Sequence, residues 1–246
     1  AENLDDFGEA AILRSMPPGS LEQVIFRMDR LARLQAGGVY VLNSPRAMEV
    51  AIDKYLATAR LSAVGIATPA THVSQSWQIA LEGFEALGGD VVIKPLFGGE
   101  GRGITRVSDT DLAERAFKML EQMGAVIYQQ QFIPHRGSDL RILLLGDHVW
   151  GMRRRNDSDW RTNVSRGAIA EPLPVTPTLE NLARQAADTV EAEFAGVDIL
   201  EGQDGNRYVL EVNAVPGWRA LSETLNVDIA AAVLAHIRRR LDGRSS

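Results

Sequence analysis

Two apolar segments, Gly196-Val197-Asp198-Ile199-Leu200 and Tyr208-Val209-Leu210-Glu211-Val212-Asn213, flank the polar stretch Gln203-Asp204-Gly205-Asn206. Asp-Gly between apolar runs is a strong hairpin signal. With Asp204-Gly205 as a two-residue turn, counting outward equally along both strands sets Asp198 directly opposite Glu211. Their Cβ atoms are then roughly 4.5–5.5 Å apart. Asn213, two residues further on, emerges on the same face. Two facing carboxylates in otherwise apolar strands repel and lose hydration, and a divalent cation resolves that conflict. Oxygen-only ligands suit Mg²⁺, which also keeps waters and phosphate oxygens. The alternative is a solvated strand face that carries two acids, and a longer turn would slip the register.

The chain has 246 residues, enough for one large domain or two intimate ones. It has no cysteine, which excludes disulfides, thiolate metal sites and a cysteine nucleophile and fits a cytoplasmic protein. Its formal net charge of −6 disfavours nucleic acid as a partner. The acidic start Ala1-Glu2-Asn3-Leu4-Asp5-Asp6 does not read as a signal peptide, and Ala at position 1 leaves processing, trimming or a fragment open. The apolar run Ile229 to Ile237 is too short for a bilayer, so no membrane partner is expected.

Hydrophobic periodicity and caps predict strands at Ala10 to Arg14, Val39 to Leu42, Val91 to Lys94 and Val126 to Gln129. Leu140 to Leu145 and His148 to Arg153 form a hairpin across Gly146-Asp147. Helices are expected from Leu21 to Gln35 with Ser20 as N-cap, from Ser44-Pro45 through Ile52, and from Lys54 to Val64. Further helices are expected at Ser76 to Leu87, Asp109 to Met123, Thr178 to Phe194 and Asp228 to Leu241, with Pro172, Pro174 and Pro177 in a connection. Mixed helices and adjacent hairpins give an α+β fold with an antiparallel sheet, an α/β arrangement being the alternative.

Val91-Val92-Ile93-Lys94-Pro95-Leu96-Phe97-Gly98-Gly99-Glu100-Gly101-Arg102-Gly103 ends a strand in lysine and continues into glycines. Such backbone approaches phosphate closely and offers N–H donors, while the lysine supplies charge. It is neither a Walker A loop nor a dinucleotide fingerprint. A hairpin tip with a surface lysine is the bland alternative. No histidine lies in a nucleophile motif, so a catalytic triad is a poor fit. Arg153-Arg154-Arg155 and Arg238-Arg239-Arg240 read mainly as local basic features.

Taken in order, these pieces resemble an ATP-grasp ligase of the RimK type, from about Tyr40 onward. The resemblance rests on Asp53-Lys54, Val91 to Lys94 with its glycine loop, Gln130-Gln131-Phe132-Ile133, Asp139-Leu140-Arg141, Trp160-Arg161-Thr162-Asn163 with Arg166-Gly167, Gly196 to Leu200, and Leu210-Glu211-Val212-Asn213-Ala214-Val215-Pro216-Gly217. It implies two α+β subdomains that clasp ATP. The expected division is a reduced N-terminal α/β remnant at 1–43 and an ATP-grasp domain at 44–246. The latter divides into a connecting helical part at 44–90, a lid subdomain at 91–133 and a catalytic subdomain at 134–246.

The resemblance also implies roles. Lys94 and Lys54 hold ATP phosphates. Gln130, Gln131, Phe132 and Ile133 form the adenine hinge, where Gln131 replaces the acid often seen in the family. Asp139 meets the ribose. Arg161, Thr162 and Asn163 belong to the nucleotide site, and Arg161, Asn163 and Arg166 act catalytically on the phosphate and the tetrahedral centre. Gly98, Gly99, Gly101 and Gly103 close over the phosphates. Asp198, Glu211 and Asn213 ligate Mg²⁺, with Mn²⁺ as a possible substitute, the same three residues that hairpin register selects. The implied reaction activates a carboxylate as an acylphosphate and joins it to an amine.

Glutamate is the default amino acid, and the acceptor is a small cofactor or a peptide C-terminus. Arg141, Arg154 and Arg155 are candidates for binding substrate carboxylates, against surface solvation for at least one. The short N-terminal part leads to the expectation of a homo-oligomer, dimer or tetramer. The rival functions are a nucleotide-binding regulatory module and a small-molecule kinase on the same fold.

Overall fold

The computed structural model describes residues 8–17, 19–98, 101–163 and 167–243. Among them the strands form three sheets. The large sheet is antiparallel, in the order β11 (Arg207–Asn213), β10 (Phe194–Gly202), β7 (His135–Leu145), β8 (His148–Arg155) and β9 (Ile169–Pro172). The small sheet is also antiparallel: β3 (Thr71–Ser74), β6 (Ile127–Gln131), β4 (Val91–Lys94) and β5 (Thr105–Val107). The third is a parallel pair, β1 (Ala10–Ile12) and β2 (Tyr40–Leu42), joined through helix α1 (Leu21–Ala36).

The two faces of the large sheet differ, and the difference creates the site. Leu140, Ile142, Leu144, Ala195, Val197, Ile199, Val209 and Val212 point to one face. There they pack under α2 (Pro45–Ile52), α3 (Lys54–Ala63) and α6 (Pro177–Thr189). The other face is divided along its strands. At one end Leu143, Leu145, Met152 and Phe194 are buried by the parallel pair, α7 (Arg219–Leu225) and α8 (Ile229–Asp242). Toward the other end the same period-2 positions become Arg141, Asp139, Arg154 and Asp198, and they face the small sheet.

The small sheet repeats the logic. Val91 and Ile93 meet Phe84 and Phe117 on α4 (Trp77–Ala86) and α5 (Thr110–Gln122). Val92 and Lys94 alternate to the opposite side, toward the large sheet.

The hairpin differs from its sequence reading in an instructive way. Near the tip the pairs are Glu201 with Arg207, Leu200 with Tyr208 and Ile199 with Val209. The connection is therefore five residues, Gly202 to Asn206, closed by Gly202 N–H on the Asn206 carbonyl at 2.9 Å. Asp204 shapes it by accepting from Asn206 N–H at 3.0 Å and from the Tyr208 hydroxyl at 2.6 Å. A β-bulge at Leu210 then adds one residue to β11, so Asp198 pairs with Glu211 and Gly196 with Asn213 after all. The longer turn and the bulge cancel.

Other differences follow from tertiary context. Strands β3, β5 and β9 are short, and β9 ends at Pro172, which an edge strand tolerates because it pairs on one side only. Helix α6 ends at Thr189 rather than Phe194. Glu191 adopts a left-handed φ of 61° there, and Phe194 opens β10 instead. Helix α7 lies where no helix was expected. Among the described residues no single helix is long and apolar enough to cross a membrane.

Asn43 welds the parallel pair to the large sheet. Its buried amide donates to the carbonyls of Phe194 at 2.6 Å and Ala214 at 2.7 Å, and it accepts from Phe194 N–H at 2.8 Å. Asn43→Ala strands three buried backbone groups, each costing about 1 kcal/mol or more. The expected loss of stability is ~3 kcal/mol, read as a lower urea midpoint with an unchanged slope.

Candidate functional site

The cleft between the two sheets brings together Lys54, Lys94, Gln130, Gln131, Phe132, Ile133, Asp139, Arg161, Thr162, Asn163, Asp198 and Glu211. Sequence alternation explains each placement. Lys94 ends β4 on its cleft face, and Gln130 stands beside it on β6, accepting from the Lys94 ammonium at 2.5 Å. Gln130 donates in turn to Thr71 Oγ1 at 3.0 Å, so its buried amide is satisfied at both ends. Lys54 starts α3 behind its N-cap Asp53 and donates to the Gly98 carbonyl at 2.6 Å. Burial lowers the Lys94 pKa to about 8, against the pull of Glu211 and Asp198, which favour its charge.

Four charges form the floor. Arg154 grips Asp139 with two bonds, Nε to Oδ1 at 2.7 Å and Nη2 to Oδ2 at 2.5 Å. The same Nη2 reaches Asp198 Oδ2 at 3.0 Å, and Arg141 Nη1 donates to Asp198 Oδ1 at 2.6 Å. Burial raises both carboxyls, but Asp198 has two arginines and is held below the ordinary carboxylate range. Asp139 has Arg154 to itself only in part, and for it burial wins. The Arg141 guanidinium lies across Gly196, where an added Cβ would come within 2.8 Å of it. Asp139, implied for ribose, thus has both oxygens on Arg154.

Glu211 is different. It is half-buried, lines the cleft, and has no hydrogen-bond or ion-pair partner among the described residues. It stands directly across from Asp198. Asn213 pairs with Gly196 further along the strand, outside the cleft lining, and its Oδ1 accepts from Val215 N–H at 2.8 Å. Among the described residues no three His, Cys, Asp or Glu side chains form a self-sufficient metal cage. Two carboxylates and an amide leave coordination places for phosphate oxygens and water, the set that suits Mg²⁺.

At the other end of the cleft Phe132 is packed by Trp160 at 5.9 Å edge to face, by His135 at 5.7 Å, and by the Arg106 guanidinium at 3.5 Å. Arg106 is itself fixed by two bonds to Asp90. With Val92, Ile104, Leu200 and Leu210 this makes an apolar slot beside the hinge backbone. His135 had no signal in the sequence. Trp160 stood in the stretch Trp160 to Asn163 with no role of its own, and Arg154 and Arg141, expected as candidates for substrate carboxylates, are instead engaged by Asp139 and Asp198.

Of the glycine loop, Gly98, Gly101 and Gly103 all have positive φ. A side chain on Gly101 would collide with Asn163 Oδ1. Arg161 donates to the Ile104 carbonyl at 3.4 Å and pairs with Asp159 at 2.8 Å. Gly99 and Arg166 lie outside the described residues. Larger open depressions of about 670 and 550 Å³ flank α6, but they gather no such chemistry.

Residues 51–237 match the RimK-like ATP-grasp domain, and the chain belongs to that family. It is an ATP-grasp ligase, and the expected α+β ATP-grasp fold is borne out. It is 34% identical to a tetrahydromethanopterin:alpha-L-glutamate ligase of Methanosarcina acetivorans, over 94% of this chain and 80% of that protein. It is 32% identical to a ribosomal protein bS6–L-glutamate ligase of Escherichia coli, over 85% of this chain and 71% of that protein. The solved ATP-grasp ligase PsnB, complexed with minimal precursor, Mg and ADP, superposes with a TM-score of 0.71 at 24% identity. That match covers 93% of this chain and 78% of PsnB, and bears on the fold alone.

A buried ammonium costs stability at neutral pH, here on the order of 2 kcal/mol. The folded pKa of about 8 lies below the ordinary 10.5, so the cost is full below pH 8 and fades as pH rises toward 10.5. Lys94→Met should therefore raise the melting temperature of the ligand-free protein at pH 7. The difference from wild type should shrink by pH 10, as differential scanning calorimetry across pH would record.

Proposed function

We propose that this ligase joins an amino acid, glutamate or a close analogue, to the carboxylate of a small cofactor or a peptide C-terminus, with ATP converted to ADP and phosphate. The observation that carries this reading is the meeting of the Lys94 ammonium with the Glu211 carboxylate, which has no partner among the described residues, and with Asp198 on the floor between two sheets. The glutamate ligases among its relatives support the choice of amino acid.

In this reading the acceptor's carboxylate oxygen attacks the γ-phosphorus, the bond to the ADP oxygen breaks, and an acylphosphate results. The amine nitrogen then attacks the acyl carbon and inorganic phosphate leaves. Lys94 and Lys54 bind phosphate oxygens, Lys54 exchanging the Gly98 carbonyl for them. The slot around Phe132 and Trp160 takes the base, and the Gln130–Ile133 backbone reads its edge. Arg161 and Asn163 face the transferred group. Glu211, Asp198 and Asn213 would hold Mg²⁺, which when bound offsets phosphate charge. Mn²⁺, with similar oxygen ligation, is the expected substitute. The ribose role of Asp139 competes with its pair to Arg154.

We further infer a cytoplasmic homo-oligomer that uses neither nucleic acid nor membrane. The absence of cysteine supports the compartment, and exposed Leu21, Ile25 and Phe26 on α1 support the assembly.

With carboxyl-¹⁸O-labelled acceptors, Mg-ATP and glutamate, label should appear in the released phosphate. Label-free phosphate would sink the acylphosphate route, and a stable phosphorylated product would favour a kinase. Glu211→Ala should lower Mg-dependent turnover by ~10²-fold or more while circular dichroism stays native. Unchanged turnover would refute the metal assignment.

A further inference from the structure

Beyond the cleft, the chain after β11 runs Ala214-Val215-Pro216-Gly217-Trp218, and the parallel pair aims its carboxyl ends at it. The end of β2 delivers Asn43 to the Ala214 carbonyl at 2.7 Å. The end of β1 delivers Arg14, whose Nη1 donates to the Pro216 carbonyl at 3.3 Å. Its guanidinium lies 3.5 Å from the centre of the Trp218 ring. Trp218 is in turn braced by Phe194 at 5.4 Å. A planar cation is thus held over the face of an indole that is itself packed against the large sheet.

Among the described residues no carboxylate neutralises the charge on Arg14. Arg141, Arg154 and Arg161 each have a carboxylate within 3.0 Å, whereas Arg14 has none within ion-pair distance among the described residues. Burial lowers its pKa. One face is covered by Trp218 while the residue remains exposed. Gly217 leaves open space where a side chain would stand. A guanidinium fixed in orientation, uncompensated and reachable is suited to two-point binding of a carboxylate.

Its position along the strand gives that carboxylate a role. The slot at Phe132, the floor at Asp198 and Glu211, Asn213, and then Arg14 follow one another from the hairpin tip to the end of β11. Asn213 stands about 7 Å beyond Glu211 at the rise of a strand, and Arg14 lies past it, on the side away from the nucleotide base. In open α/β arrangements, ligands gather at the carboxyl ends of parallel strands, where Arg14 sits.

We propose that Arg14, stacked on Trp218, binds the non-reacting carboxylate of a substrate of this ligase and so orients the reacting group toward the phosphates. This rests on the ligase reading above. The carboxylate comes from the incoming amino acid or from the acceptor, and the test separates the two.

Wild type and Arg14→Met are titrated by calorimetry with a non-hydrolysable ATP analogue and Mg²⁺. In its presence they are then titrated with L-glutamate and, separately, with N-acetyl-L-glutamate, whose blocked amine leaves it only an acceptor's carboxylates. The expected result is that Arg14→Met weakens one of the two by tenfold or more and changes the nucleotide Kd less than twofold. Loss for glutamate assigns the amino acid, and loss for the acetylated compound assigns the acceptor. Arg14→Lys should recover part of the affinity, because it keeps charge without the planar fork. Trp218→Leu keeps Arg14 but removes its support, and should weaken the same probe. Unchanged affinity for both probes overturns the proposal, as does wild type that binds nucleotide but neither probe. Failure of wild type to bind the nucleotide overturns the ligase reading itself, and Arg14 falls with it.

Discussion

Asp139 and Asp198 carry charge on a sheet face that a few residues further along is packed with leucine, and Arg141 and Arg154 make that possible. An isolated buried carboxylate is too costly to keep. Here each acid has an arginine on a neighbouring strand, and Arg154 bridges both. The pairs are cross-strand, so their geometry depends on the register of β10, β7 and β8 and on nothing more distant. Removal of one partner would leave the other buried and uncompensated, which makes the four a single unit. Glu211, across from this unit and without a partner among the described residues, is left as the open anionic position.

That division of labour explains the shape of the molecule. One sheet face must be apolar throughout to hold α2, α3 and α6. The opposite face can be polar for part of its length only because a second sheet covers it there and helices α7 and α8 cover the rest. The candidate site is the gap where polar meets polar. The aromatic and cationic packing around Phe132 marks its apolar end, and Lys94 with Glu211 its charged one.

The N-terminal parallel pair adds more than bulk. Asn43 and Arg14 lie at the carboxyl ends of adjacent strands, and both reach the segment that follows β11. One is buried and satisfies backbone. The other is open and presents a charge. The same local topology thus anchors the site's floor and places a cation at its far end.

The sequence by itself determined a good deal. Period-2 alternation put Lys94 and Gln130 on one face of their sheet, and Val91 and Ile93 on the other. The caps at Ser20, Ser44 and Asp109 set helix starts, because each side chain accepts from a free backbone N–H of the first turn. The facing of Asp198 and Glu211 was legible too, but through two compensating features. A five-residue turn and a bulge at Leu210 replaced the simple turn, since Asp204 and Tyr208 favour the longer loop and one extra residue must then be absorbed. Short edge strands, the end of α6 and the existence of α7 escaped local reading because pairing and packing, not propensity, create them. Only the tertiary structure decided that Arg154 serves two acids, that Arg106 stacks on Phe132, and that Arg14 meets Trp218 across the chain. Each of those contacts joins residues distant in sequence, and charge or stacking energy depends on distances of a few ångströms that no local pattern encodes.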